Sequence, residues 1–258
     1  MKRLRLLTFA LVSLAGTMPA AAEHLVVSLS NHRVAINSNF IGEELVLFGT
    51  IEPDPNSSLR SANYDVVVTV IGPVKTFRTR RKAQVAGIWV NVDSREFLKV
   101  PSYLATLSNR PVSDIAKPEA LRRLQIGLDN MILTQRVGGD FADTVHDDPF
   151  RAAFVNLEQQ SGFYSERSTG VTFLTSSVFR ANISVPANAS IGNYAVEVKL
   201  FTNGTVLAAT TSAFEIIKAG FEQYVANAAL NQSLLYGLAT TMLALLTGWF
   251  ASVVFRRD

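Results

Sequence analysis

The sequence contains no cysteine and only three histidines among its 258 residues. The absence of cysteine excludes disulfides, thiol nucleophiles and thiolate metal sites. The sequence also lacks the Gly-x-Ser-x-Gly and His-Glu-x-x-His patterns, a Walker loop and a dinucleotide-binding fingerprint. We therefore predict no catalytic residue, no metal ligand and no cofactor, and we expect that the protein is not an enzyme.

Neither sign of charge dominates the chain once its two ends are set aside. The formal net charge is +3, but the first five and the last three residues hold five of the 24 basic residues. The remainder has 19 basic and 20 acidic residues. Such a balance gives no general attraction to nucleic acid, which we do not expect as a partner.

Residues 1–22 have the layout of a secretory signal peptide. Lys2, Arg3 and Arg5 precede an apolar run, and small residues at 20–22 suit a signal peptidase. The run is shorter than the roughly 20 residues that a spanning helix needs. We predict cleavage after Ala22, with an uncleaved N-terminal anchor as the alternative.

The other end of the chain predicts a membrane-spanning helix at 234–255. These 22 residues carry no charge, and at about 1.5 Å per residue they cover a hydrocarbon core of about 30 Å. Arg256 and Arg257 come next and favour a cytoplasmic tail at 256–258. We expect a single-pass protein of the bacterial inner membrane, with a periplasmic domain, a juxtamembrane segment at 219–233 and the lipid bilayer as one partner.

Alternating apolar residues predict a mainly β outer domain. Strand-like runs occupy 23–100, and three more occupy 171–218, the first of them with a bulge or at an edge. Tyr194, Val196, Val198 and Leu200 share one face, and Asn203-Gly204 predicts a hairpin turn. A tyrosine just after a glycine at a strand start is typical of an immunoglobulin-like sandwich.

The middle, 101–170, is predicted as a mainly helical insertion. Apolar residues recur at helical spacing from Pro118 to about Arg136, and a second helix opens at Asp148-Pro149 and ends near Gly162. The predicted fold is therefore mainly β: one immunoglobulin-like β-sandwich with a helical insertion, plus one C-terminal transmembrane helix. Two separate small domains are the alternative.

Three groups of residues are candidate sites. Small residues on one face of the spanning helix suit a partner helix: Thr240, Ala244, Gly248 and Ser252. A second set is a candidate ligand or partner surface: Arg78, Arg80, Trp89 and Tyr103. Arg78 and Arg80 share a strand face, although basic residues also protect sheet edges from aggregation. The acidic loop from Asp140 to Asp148 suits a hard cation, or is simply a solvated loop.

In several short segments the chain resembles a family of transmembrane proteins from alphaproteobacteria. They are residues 87–91, 100–103, 108–111 and 187–194, and the segment from Tyr236-Gly237 through Gly248-Trp249 to Arg257. The resemblance implies a signal peptide, an outer domain and one terminal helix. It also implies a gene position near a multi-pass permease of the sulfite-exporter type, and it supplies no site residues.

These features predict a non-enzymatic accessory or interaction subunit of a membrane partner, with such a permease as the expected partner. A periplasmic receptor for a ligand or a metal ion is the alternative, and an envelope hydrolase is a third.

Overall fold

A computed structural model describes residues 23–52, 63–137, 140–144 and 147–255. The fold is mainly β, with one apolar helix at the C-terminus. The strands are β1 (His24–Leu29), β2 (Arg33–Ile36), β3 (Gly42–Glu52), β4 (Tyr64–Ile71), β5 (Val74–Val85), β6 (Ile88–Pro101), β7 (Leu104–Ser108), β8 (Thr134–Val137), β9 (Asp140–Asp143), β10 (Tyr164–Arg167), β11 (Val171–Phe173), β12 (Val178–Pro186), β13 (Gly192–Thr202) and β14 (Thr205–Lys218). The helices are α1 (Val112–Ile115), α2 (Pro118–Leu124), a 3₁₀ turn (Leu128–Asn130), α3 (Pro149–Gln160), α4 (Phe221–Asn231) and α5 (Ser233–Val254).

Two sheets share the main core. The first has the order β1-β3-β12-β11, and the second has the order β10-β7-β4-β13-β14-β2. Alternate residues of each sheet point into the common core, as the strict alternation of β13 predicts. Tyr194, Val196, Val198 and Leu200 are all buried there, which confirms that they share one face.

Strand β12 differs from its prediction. It is a regular, central strand between β3 and β11, without a register shift, and its inward residues are Phe179, Ala181, Ile183 and Val185. The prediction of a bulge or an edge was wrong because it set Val178 on the inner face. Val178 is only half-buried and begins the outward series.

The segment 101–170 is less helical than the sequence indicates. It contains β7, β8, β9 and β10 in addition to its helices. Helix α2 ends at Leu124 because Gln125 takes a left-handed conformation with φ 53°. The predicted continuation to Arg136 was therefore wrong, and Arg136 lies in β8. Helix α3 begins as predicted, with Asp148 Oδ1 accepting a hydrogen bond from the Phe150 amide at 2.7 Å.

The insertion covers the outer face of the six-stranded sheet. Helices α1 and α2 bury Ile115 and Leu121 against Val67 and Phe201 of that face. A second small core lies beside it under α3, where Phe154 contacts the rings of Phe77, Phe97 and Tyr164.

Candidate functional site: a projecting hairpin

Strands β5 and β6 form a long hairpin whose base belongs to the folded domain. At the base, Phe77 pairs with Phe97 across the two strands. Their rings lie 5.3 and 5.4 Å from the ring of Phe154 in α3. Farther along, the Arg95 guanidinium lies over the Phe150 ring at 5.6 Å, a cation–π contact. These contacts fix the direction in which the rest of the hairpin leaves the domain.

The outer part of the hairpin, residues 80–94, leaves the domain and is exposed apart from half-buried Ala83. Every residue of β6 from Ile88 to Glu96 is exposed. The tip is a two-residue turn in which Ala86 and Gly87 have φ of 50° and 84°. Two successive positive φ values are typical of the type I′ turn, whose twist matches that of paired strands.

The two faces of the outer hairpin differ in chemistry. Directly paired residues share a face in an antiparallel ladder, so the pairs Val85–Ile88 and Ala83–Val90 form one apolar face. The opposite face carries Trp89, which pairs with Gln84. Ile88 and Trp89 are each 66% exposed, so each presents most of its side chain to solvent. Contiguous exposed apolar residues of this kind mark interaction sites.

Basic residues line the face that carries Trp89. Arg78, Arg80 and Lys82 alternate along β5 and therefore point the same way. Arg78 donates to Glu96 at 3.0 Å, whereas neither Arg80 nor Lys82 pairs with a carboxylate in the described ranges. The span 74–101 holds seven basic and two acidic residues, so it is strongly cationic within a nearly neutral chain.

The edges of the outer hairpin are open. Strand β5 is the terminal strand of its sheet, and β6 meets β8 only at Phe97 and Leu98. Along the outer part, the described strands therefore leave one edge of each strand without a backbone partner. An unpaired edge can accept another strand by main-chain hydrogen bonds.

The hairpin and the apolar helix leave the domain at the same end of the six-stranded sheet. Ala195 of β13 pairs with Ile71, the last residue of β4, and with Ala213, after which β14 continues in the same direction to Lys218. Gly72 and Pro73 lead from β4 into the hairpin, and Ala219 and Gly220 lead from β14 into α4. Both connections therefore begin at the same end of the sheet, on two strands that β13 separates.

Tyr103 does not belong to this surface. It is 3% exposed, and its hydroxyl donates to the Ser184 carbonyl at 2.6 Å. Burial raises its pKa to about 12. The structure therefore places Arg78, Arg80 and Trp89 on one face of the hairpin and leaves Tyr103 in the core. The residues that the sequence reasoning missed are Val85, Ile88 and Val90. Ala86-Gly87, flanked by two strand-like runs, was the available signal for a hairpin.

The acidic loop has structural contacts where it is described. Asp143 Oδ1 accepts from the Leu133 amide at 2.9 Å and lies 3.8 Å from Arg151 Nη1, and Asp148 caps α3. Within the described ranges, no group of three or more acidic or histidine side chains is placed to hold a metal. His146 lies outside those ranges.

Helix α5 matches the requirements of a membrane span. It has 22 residues, a mean hydropathy of 1.6 and no contact that buries it. The small residues Thr240, Ala244, Gly248 and Ser252 all lie on it, and a Cβ added at Gly248 meets no atom within 4 Å. The Thr240 hydroxyl donates to the Tyr236 carbonyl at 3.0 Å, so the backbone satisfies that hydroxyl.

A β-rich domain joined to one C-terminal apolar helix of membrane-spanning length defines a membrane protein with a single candidate span. The chain belongs to the family described as "Putative transmembrane protein" (Alph_Pro_TM), whose sequence model matches residues 24–257. This match confirms the family that the sequence resemblance indicated. No curated protein matches the chain.

Proposed function

We propose that this protein is a non-enzymatic accessory subunit, anchored in the bacterial inner membrane, whose periplasmic domain docks on a multi-pass membrane protein. The observation that carries the proposal is the outer part of the β5–β6 hairpin, which is apolar on one face at its tip and cationic and aromatic on the other face. Such a surface is stabilised when a partner removes it from water.

The charges at the ends of the chain support this orientation. The signal-like segment 1–22 directs the export of the domain, and Arg256 and Arg257 retain the tail in the cytoplasm under the positive-inside rule. Both ends lie outside the described residues. The domain between them then stands on the periplasmic face, beside the membrane that α5 crosses.

The strand orders support an immunoglobulin-like sandwich. The order β1-β3-β12-β11 corresponds to strands A, B, E and D of that fold, and β4-β13-β14 corresponds to C, F and G. The Tyr194 hydroxyl donates to the Ser190 carbonyl at 2.8 Å, four residues upstream, as in the tyrosine corner of such domains. Many sandwich domains of this kind serve as interaction modules.

The open edges favour a protein over lipid as the occupant of the hairpin. Unpaired backbone groups find no hydrogen-bond partner in a hydrocarbon layer, and each costs several kcal/mol there (about 2–7 by transfer measurements). An extended protein segment can pair with the edge of β5 or β6 instead. Arg80 and Lys82 favour an acidic segment, because an opposite charge steers and orients association.

The expected partner is a permease of the sulfite-exporter type, which the family resemblance suggests. Its periplasmic loops lie at the level where a domain tethered by α5 is held. A tether raises the effective concentration of the hairpin beside such a loop, so a weak contact becomes sufficient.

Co-expression of the full chain with that permease tests the proposal. We expect a tagged wild-type chain to retain the permease in mild detergent. The double variant Ile88→Ser, Trp89→Ser should recover about tenfold less, because central apolar and aromatic residues dominate such contacts. Leu174→Ser is the matched control, because Leu174 is an exposed leucine outside the hairpin, 51% exposed.

Three results would overturn the docking proposal. The first is recovery of the permease by the double variant at the wild-type level, and the second is no recovery by the wild type. The third is a blue shift of Trp89 fluorescence in permease-free anionic vesicles, measured in a Trp249→Phe background. That shift would assign the hairpin to lipid.

A further inference from the structure

A cleft of about 310 Å³ lies between the outer face of the six-stranded sheet, the end of α2 and the base of the hairpin. The lower limit for pockets that hold small ligands is about 300 Å³. The cleft is separate from the exposed outer hairpin, and nothing in the proposed docking uses it.

The floor of the cleft is polar although it lies in the middle of a sheet. Thr69 and Glu197 are paired across β4 and β13. Lys199 lies two residues farther along β13 and therefore points to the same face. The Lys199 side chain is only 14% exposed and donates to the Glu197 carboxylate. An ammonium group has three donors, so Lys199 retains capacity for a second acceptor.

The Thr69 hydroxyl adds an unpaired polar atom to the floor of the cleft. Thr69 lines the cleft, is 4% exposed, and its Oγ1 has no hydrogen-bond partner among the described residues. Valine has the same shape and no polar atom, and it would suit a purely structural position here. Buried hydroxyls are normally paired, so an acceptor that enters the cleft would satisfy this one after rotation of the Thr69 side chain.

A bulge adds a second cation to the wall. Two residues of β6, Leu98 and Lys99, lie opposite the single Thr76 of β5, and Lys99 has a φ of 53°. Bulges of this kind change the direction of a side chain, and Lys99 lines the cleft. Lys99 has no carboxylate partner within the described ranges.

The opposite part of the wall is apolar. Ile71 and Leu104 are paired across β4 and β7, and Met131 lies beside them. The lining therefore combines two ammonium groups, one carboxylate, a free hydroxyl and an aliphatic surface. Its net positive charge selects an anion, and its aliphatic side selects a ligand with a short hydrocarbon body.

We propose that this cleft binds a small organic monocarboxylate, with the carboxylate held by Thr69 Oγ1, Lys199 and Lys99 and its hydrocarbon body against Ile71 and Leu104. The inference goes beyond the docking function and does not depend on it. Binding would give the accessory domain a sensing role.

Calorimetric titration of the full chain in nanodiscs tests the site with acetate, butanoate and hexanoate as probes, and with inorganic phosphate for comparison. We expect affinity to rise from acetate to hexanoate. Thr69→Val and Lys99→Met should each weaken hexanoate binding about tenfold, because a binding site loses that much with one charge-assisted hydrogen bond. Thr69→Ser should retain binding, because it keeps the hydroxyl.

Lys82→Met is the matched control, since it removes a lysine from the outer hairpin and should leave hexanoate binding unchanged. The proposal is overturned if none of the three carboxylates binds at millimolar concentration. It is also overturned if phosphate binds as tightly as hexanoate, or if Thr69→Val binds like the wild type. None of these results bears on recovery of the permease, which measures the hairpin alone.

Discussion

Arg110 binds Asp65 through two nitrogens of its guanidinium, in a bidentate contact. Its Nε and Nη2 each donate to a different carboxylate oxygen of Asp65 at 2.6 Å. Asp65 is 5% exposed and also accepts from the Asn109 side chain at 3.0 Å. The hydrogen bonds to Asp65 raise the pKa of Arg110. This contact joins the start of β4 to the segment after β7.

Arg110→Ala should lower the free energy of unfolding by about 2–3 kcal/mol, because it leaves a buried carboxylate with one neutral partner. Arg110→Lys should restore little of this, because an ammonium cannot donate in a fork. Thermal unfolding in detergent measures both. Arg33→Ala is the control, since its pair with Glu215 is 3.7 Å long and exposed, and it should cost under about 0.5 kcal/mol. Equal losses in Arg110→Ala and Arg33→Ala would contradict the prediction.

Buried tyrosines should make the domain sensitive to alkali. Burial raises the pKa of Tyr103 and of Tyr194 from 10.0 to about 12. The folded pKa exceeds the unfolded one, so this stabilisation is complete below pH 10 and is lost as the pH rises through about 12. Each tyrosine contributes on the order of 2–3 kcal/mol.

Thermal unfolding between pH 9 and pH 12 measures that loss, and tyrosinate absorbance should appear together with unfolding. Tyr103→Phe should reduce the slope of stability against pH in that window, because phenylalanine has no proton to lose. An unchanged slope would show that other groups control the alkaline transition.

The two ends of β6 should respond very differently to truncation. Phe97→Ala should cost about 3–5 kcal/mol, because the ring is fully buried between Phe77 and Phe154. Trp89→Ala, only eight residues away on the same strand, should change stability by less than about 0.5 kcal/mol, because the indole is exposed. Thermal unfolding of both variants measures the contrast. A large loss in Trp89→Ala would mean that the outer hairpin packs on the domain.

The small-residue face of α5 gives a prediction about helix association. Gly248→Leu should reduce recovery of the co-expressed permease severalfold, because a large side chain prevents close approach of a partner helix. Leu246→Phe adds bulk to the opposite side of α5 and should have little effect. If both variants recover the permease at the wild-type level, the face has no such role.

Local sequence patterns correctly predicted the elements that are determined by residues close together in the chain. The alternation in β13 and the Asp148-Pro149 start of α3 needed no tertiary information. The helix predicted to Arg136 failed because Leu128 and Met131 keep a helical spacing while the chain has already turned at Gln125 and Gly127, both with positive φ. Both residues are buried in the second core. Leu128 belongs to a 3₁₀ turn, and Met131 is the first residue after that turn.

The candidate surface could be predicted only in part from the sequence. Arg78, Arg80 and Trp89 stand out by residue type, but their position on one face depends on the register of β5 and β6, which the turn at Ala86-Gly87 sets. Tyr103 was assigned to the surface because the sequence does not reveal which face the chain presents after Pro101. The cleft at Thr69 joins strands that are distant in the chain, and no local pattern marks it.

The position of β14 determines how the domain responds to a pulling force. This strand leads through α4 to the apolar helix α5. It lies between β13, to which it is antiparallel, and β2, to which it is parallel. A pull from the membrane acts along this strand and loads its hydrogen bonds on both sides in shear, all at once. Pulling strands apart sideways would instead break those bonds one after another. The anchor is therefore joined to the domain in the direction in which a sheet resists force best.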